Sequence, residues 1–165
     1  MIRVFIVEAH QLIRRGLSEL LHDAGNLTIV GESATAVEAL RRVPVEQPDV
    51  VLLDVSLPDR SGIDVCRELR SRYPSIRVLM LTTQVDHEVV LASMLAGASG
   101  FALKQIRNQF LVEAVFNVAA GRSLPPQDVR TAVVGRLGLP VRPVGALAAL
   151  SRQEREGCST VSSRD

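Results

Sequence analysis

Short apolar runs alternate with amphipathic segments from the N-terminus to Gly121. Ile2–Val7 (IRVFIV) predicts a strand. Leu12, Ile13, Leu17, Leu20, Leu21 and Ala24 then repeat at helical spacing, opposite Arg14, Arg15, Ser18 and Glu19. Gly25 and Asn26 end that helix, and Thr28–Gly31 reads as a short second strand. Thr35 and Glu38 make a capping-box pair that opens a helix on Val37, Leu40 and Val43, which Pro44 and Pro48 are expected to end. Asp49–Asp54 (DVVLLD) is a continuous apolar run between carboxylates, the pattern of a central parallel strand buried on both faces. Ser61 and Asp64 open a third helix with the stripe Ile63, Cys66, Leu69 and Tyr73, and Pro74 stops it. Ile76–Thr82 (IRVLMLT) is a fourth strand, followed by a helix from about Asp86 to Gly97. Gly100–Leu103 (GFAL) is a fifth strand, and Leu111, Ala114, Val115 and Val118 mark a last helix. Five βα units joined by right-handed crossovers predict an α/β doubly wound parallel sheet covered on both faces.

From Arg122 onward the pattern breaks. Pro125 and Pro126 precede a weakly helical patch at Asp128–Leu137, then a Gly/Pro/Ala/Val linker runs to Leu150. Ser151 and Glu154 form another capping box, but Gly157 and the Cys-Ser-Thr-Val-Ser-Ser run after it are poor helix material. At 165 residues, 47% hydrophobic and 22% charged, the chain has the balance of one globular domain with an appendage rather than of a disordered polymer. No apolar stretch reaches membrane-spanning length, and no secretory signal pattern opens the chain. Cys66 and Cys158 have no partner at metal-ligand spacing. A cytoplasmic protein without a membrane partner is the expectation. Twelve basic residues face fourteen acidic ones through residue 121, and seven face four thereafter, so overall charge argues for neither nucleic acid nor membrane. Every basic residue is an arginine except Lys104.

In an open parallel sheet, ligands gather at the carboxyl ends of the strands. The first strand ends in Glu8, Ala9 and His10, the third in Asp54, the fourth in Thr82 and Thr83, and the fifth in Phe101, Leu103 and Lys104. A carboxylate pair, a hydroxyl and a lone lysine converging on one crevice suit phosphoryl transfer to Asp54, with cations offsetting the charge on the transferred group. The segments VFIVEAH, VVLLDVSLPDRSGID, LMLTT and AGASGFALK occur in that order at the spacing of successive βα units. Together they resemble the receiver domain of bacterial two-component response regulators of the NarL/LuxR type, over roughly residues 1–122.

That resemblance implies a flavodoxin-like fold with strand order 2-1-3-4-5. It makes Asp54 the phosphoacceptor, Thr82 the hydroxyl that approaches the phosphoryl group, Lys104 its ion-pair partner and Phe101 the switch aromatic. Glu8, Asp54 and the Ser56 backbone carbonyl become the ligands of a magnesium ion. Leu57-Pro58 and Gly62 match the turn after the phosphoacceptor. A sensor histidine kinase and a second copy of the chain become the implied partners, and transcription regulation the family role. Acyl-phosphate formation on the protein's own aspartate is self-modification, so the chain is not read as an enzyme.

Two departures qualify these expectations. Ala9 stands where the family has its second acid, a direct metal ligand, which leaves Asp54, a carbonyl, Glu8 and Asp59 as candidate ligands and predicts slow or absent phosphorylation. Glu8 is open to two readings, a metal ligand or a buried partner of Lys104. Residues 123–150 read as a linker with a possible short helix. Ala149–Glu156 (ALSRQERE) resembles the start of a LuxR-type DNA-binding domain, yet residues 151–165 are too few for a helix-turn-helix, so DNA binding needs a complete effector domain. A phosphorylation-independent dimerisation or interaction module is therefore the alternative. A flavin enzyme is disfavoured because EAHQLIRRG is not a phosphate-cradling loop.

Overall fold

The computed structural model describes residues 1–84, 86–104 and 108–122. Five strands, β1 (Ile2–Val7), β2 (Leu27–Ser33), β3 (Val50–Asp54), β4 (Arg77–Thr82) and β5 (Gly100–Leu103), alternate with five helices. These are α1 (Gln11–Ala24), α2 (Ala36–Glu46), α3 (Gly62–Arg72), α4 (His87–Leu95) and α5 (Asn108–Ala119). The strands pair in parallel in the order β2-β1-β3-β4-β5, as expected. The segments assigned from sequence to the linker (123–150) and the effector remnant (151–165) lie outside the described residues. Among the described residues, no helix is long and apolar enough to cross a membrane.

Alternation along the strands builds two cores. Phe5, Val7, Val51, Leu53, Val78, Met80 and Phe101 face one side, under α2, α3 and α4. Val4, Ile6, Val50, Leu52, Leu79 and Leu81 face the other, where Leu17 and Leu21 of α1 and Leu111, Val115 and Val118 of α5 cover them. Every residue of β3 is buried, so the strand that carries Asp54 is fixed on both faces. Each of its leucines contributes about 1.5–3 kcal/mol by burial.

Arg70, at the end of α3, holds the opposite edge of the sheet. Its guanidinium donates to the carbonyls of Gly97 (3.0 Å), Pro74 (2.5 Å) and Ile76 (2.7 Å), which lie just before β5 and β4.

Pro44 does not end α2 but sits inside it. A proline there removes a single hydrogen bond in the last turn, and the helix closes three residues beyond Pro44, at Gln47 in a left-handed conformation (φ 51°) whose N–H donates to the Val43 carbonyl. At the other end, the Thr35 hydroxyl accepts the Glu38 N–H (3.2 Å). The two preceding amides, of Ala36 and Val37, donate to the Asp59 carboxylate at 2.8 and 2.9 Å. Those two amides hold the Asp59 carboxyl below its ordinary pKa. A carboxyl lowered by folding stabilises the fold above its unfolded pKa, and the gain is lost as pH falls through the folded value. Asp59→Ala should therefore lower the melting temperature most above about pH 5 and progressively less in acid, checked by thermal unfolding of both proteins across pH.

Candidate functional site

Strand order and register dictate what meets at the carboxyl edge of the sheet. Val7 of β1 pairs with Leu53 of β3, so Glu8 follows β1 beside Asp54. The backbone continues the ladder past each strand end: Glu8 N–H donates to Ser33 O (3.0 Å), Val55 N–H to Leu81 O (3.0 Å) and Lys104 N–H to Thr82 O (2.7 Å). β4 separates β5 from β3, a distance of about 10 Å between strand axes, and a lysine has the reach to cross it. The Lys104 ammonium lies 2.7 Å from Glu8 Oε1 and 3.0 Å from Asp54 Oδ2.

Both carboxylates are buried, Glu8 fully and Asp54 at 2% exposure. The two oxygens that face the ammonium are held by it alone, through short charge-assisted contacts. Asp54 Oδ1 accepts the Ser56 N–H at 3.0 Å. Glu8 Oε2 accepts the His10 N–H at 3.0 Å and lies 3.2 Å from His10 Nδ1, while Arg14 donates to the Glu8 carbonyl at 2.7 Å. One ammonium is thus shared by two carboxylates, leaving one negative charge in excess.

The two acids respond differently. Burial pushes the Asp54 carboxyl above its ordinary value, and the Glu8 charge adds to the rise, against the Ser56 amide and Lys104. Burial also acts on Glu8, but Lys104 and the His10 amide outweigh it and its pKa falls. For Lys104, burial opposes the charge and the two carboxylates more than restore it, so its pKa rises. Glu8 is the anion that anchors the ammonium. Asp54 is made more basic than an ordinary aspartate, and for an attacking oxygen greater basicity goes with greater nucleophilicity.

The structure brings Glu8, Asp54 and Lys104 together and leaves the other expected site residues apart. The Thr82 hydroxyl engages the Gln84 backbone, 3.2 Å from its carbonyl, rather than the carboxylates. Phe101 is buried in the core beneath α4. Ser56 meets Asp54 through its N–H. Asp59, a candidate ligand by sequence, is not available: it caps α2. His10, read from sequence only as the start of the first helix, is its N-cap but turns its imidazole onto Glu8 instead of capping with it. The signal for this contact was a helix beginning three residues after Glu8, which forces the N-cap residue to lie beside the strand end.

These donors do not fit an all-oxygen magnesium centre. Magnesium takes near-octahedral oxygen donors, whereas Ala9 has none, Asp59 faces elsewhere, and the donor that joins Glu8 and Asp54 is the His10 imidazole nitrogen. Lysine, by contrast, is built into the pocket.

Gly62 fixes the floor. A Cβ there would fall 1.9 Å from the Asp54 carbonyl oxygen and 3.0 Å from Val55 Cα, and Gly62 N–H donates to Val55 O at 2.7 Å. Gly62→Ala should cost about 1–3 kcal/mol of stability by forcing the Asp54 backbone aside, checked by urea unfolding. Lys104→Met leaves two buried carboxylates without a cation and should cost about 3–5 kcal/mol. Adding Glu8→Gln should recover part of that loss in the same unfolding assay, because it removes one of the two uncompensated charges.

Residues 4–116 match the family described as response regulator receiver domain. The DNA-binding transcriptional activator DevR/DosR of Mycobacterium tuberculosis is 43% identical over 155 residues, 94% of this chain and 71% of that protein. The transcriptional regulatory protein LnrK of Bacillus subtilis is 33% identical over 128 residues, 77% of this chain and 58% of that protein. The crystal structure of a LuxR-family two-component response regulator from Aurantimonas sp. SI85-9A1 superposes with a TM-score of 0.79 at 29% identity, covering 84% of this chain and 99% of that one.

Proposed function

The chain belongs to the response regulator receiver domain family, and from that premise we propose that Asp54 accepts a phosphoryl group and that Lys104 holds it. The observation that carries this reading is the Lys104 ammonium 3.0 Å from Asp54 Oδ2 at the carboxyl edge of the sheet. An Asp54 oxygen attacks phosphorus, the bond from phosphorus to the donor breaks, and an acyl phosphate results. Lys104 turns from the free carboxylate to the new phosphoryl oxygens, a charge-assisted contact of the same kind. Receiver domains typically bind magnesium at an acidic pocket, but with Ala9 in place of an acid, and with Glu8 engaged by Lys104, no step here is assigned to it. The reaction is accordingly expected to be slow.

In this reading residues 1–122 are the receiver, residues 123–150 connect it to an effector, and residues 151–165 begin one. A sensor histidine kinase is the phosphoryl donor and a second copy of the chain the partner in assembly. Transcription regulation, the role of the relatives DevR/DosR and LnrK, is carried by DNA contacts of a complete effector domain. The switch would draw the Thr82 hydroxyl off the Gln84 backbone and onto the phosphoryl group, with Phe101 responding beneath it.

A second reading is favoured by the 2.7 Å Glu8–Lys104 contact, which holds the ammonium without any phosphoryl group. Here the pocket is a fixed strut, and the protein acts by binding a partner irrespective of phosphorylation. Incubation with acetyl phosphate and magnesium, read by intact mass, separates the two. The wild type should gain the mass of one phosphoryl group, more slowly than a receiver with the full acidic pair, and Asp54→Asn should gain none. No adduct where an ordinary receiver is modified alongside would move the conclusion to the second reading.

A further inference from the structure

The residues that disfavour magnesium make a different donor set. Glu8, His10 and Asp54 each offer a ligand atom, and the three atoms lie within 4.8 Å of one another. First-row dications bind nitrogen and carboxylate oxygen at about 2.0–2.2 Å, so ligand atoms around one ion stand roughly 3–4 Å apart. Only a small closing movement is needed. The flexible member can supply it: the His10 side chain is 72% exposed, and its Nδ1 is already 3.2 Å from Glu8 Oε2.

Charge points the same way. The ammonium of Lys104 neutralises one of two buried carboxylates and leaves one negative charge uncompensated. Glu8 Oε1 and Asp54 Oδ2 are already held by that ammonium, at 2.7 and 3.0 Å. A buried pair of carboxylates that shares a single ammonium is further stabilised by a second cation on its remaining oxygens. The identity of that cation follows from the imidazole. Nitrogen donors favour zinc and its neighbours in the first transition row, whereas magnesium selects oxygen and sheds water reluctantly.

We propose that Glu8, His10 and Asp54 form a site for a first-row transition dication of the zinc type, in preference to magnesium. His10 takes over the duty of the acid that Ala9 does not supply, from one residue further along the chain. The site does not depend on Asp54 accepting a phosphoryl group, and a bound dication would occupy an oxygen of that same carboxylate. The Glu8–His10 contact then serves as the resting form of the site, with the carboxylate holding the ring beside the place the ion takes.

Calorimetric titration of the full chain with zinc chloride and with magnesium chloride tests this. One zinc per chain is expected, at least about tenfold tighter than magnesium, and His10→Ala should weaken zinc by about tenfold or more while leaving magnesium unchanged. Cobalt(II) should give a d–d absorption band in the wild type that is lost in His10→Ala, a readout independent of any activity. A variant carrying His22→Ala, His87→Ala and Cys158→Ser removes the other histidines and the Cys158 thiol, and should keep the tight zinc. Zinc binding that survives His10→Ala, or that disappears in the triple variant, means an adventitious ion only and overturns the proposal. Circular dichroism of His10→Ala, a change at an exposed side chain, should match the wild type. The mass assay on Asp54 is scored separately. Phosphorylation without His10-dependent zinc removes the metal site alone, and His10-dependent zinc without phosphorylation supports the metal site and removes the phosphoacceptor reading.

Discussion

One buried ammonium organises the carboxyl edge of this protein. Two carboxylates side by side and closed off from water would repel each other and carry a large desolvation cost; Lys104, held between them, is what lets them coexist. The arrangement is asymmetric. Glu8 is further secured by the His10 amide, and with Lys104 that contact holds its pKa below the ordinary glutamate value. Asp54, pushed up by burial, lies slightly farther from the ammonium, at 3.0 Å against 2.7 Å for Glu8. A pocket built in this way gives two chemically similar side chains different environments.

The surrounding backbone is arranged so that the pocket cannot relax by spreading. Each strand end is pinned by a hydrogen bond to its neighbour beyond the last paired residue, and the chain after Asp54 returns so closely at Gly62 that no side chain fits between. Asp59 ties the same loop to the first amides of α2. Displacement of the loop after Asp54 is thereby felt at the start of a helix whose inner face, through Ala36, Ala39 and Val43, rests on the sheet.

Much of this was legible in the sequence because it rests on local pattern. The DVVLLD run fixed a two-sided strand and placed an acid at its end. The solitary lysine stood out because every other basic residue is an arginine. The capping residues Thr35 and Ser61 each act as N-caps, and the fourth helix begins where it was expected, with Asp86 as its N-cap. What could not be read depended on contacts between segments distant in sequence, or on rotamers. Asp59 looks like a free carboxylate until α2 is packed 22 residues away. The rotamer of Thr82 is decided by its own loop carbonyl, and the proline within α2 is tolerated because it falls in the last turn. The role of His10 needed the exact angle at which α1 leaves β1.

The three carbonyls gathered by Arg70 give the molecule a fixed floor. Because that guanidinium binds the chain just ahead of both β4 and β5, the two strands share one tie at the end remote from Asp54, as they share the Lys104 N–H to Thr82 O bond at the other. Lengthwise slip of either strand would have to break those bonds. The places of Thr82 and Phe101 are thus set in part by one arginine at the far end of the sheet.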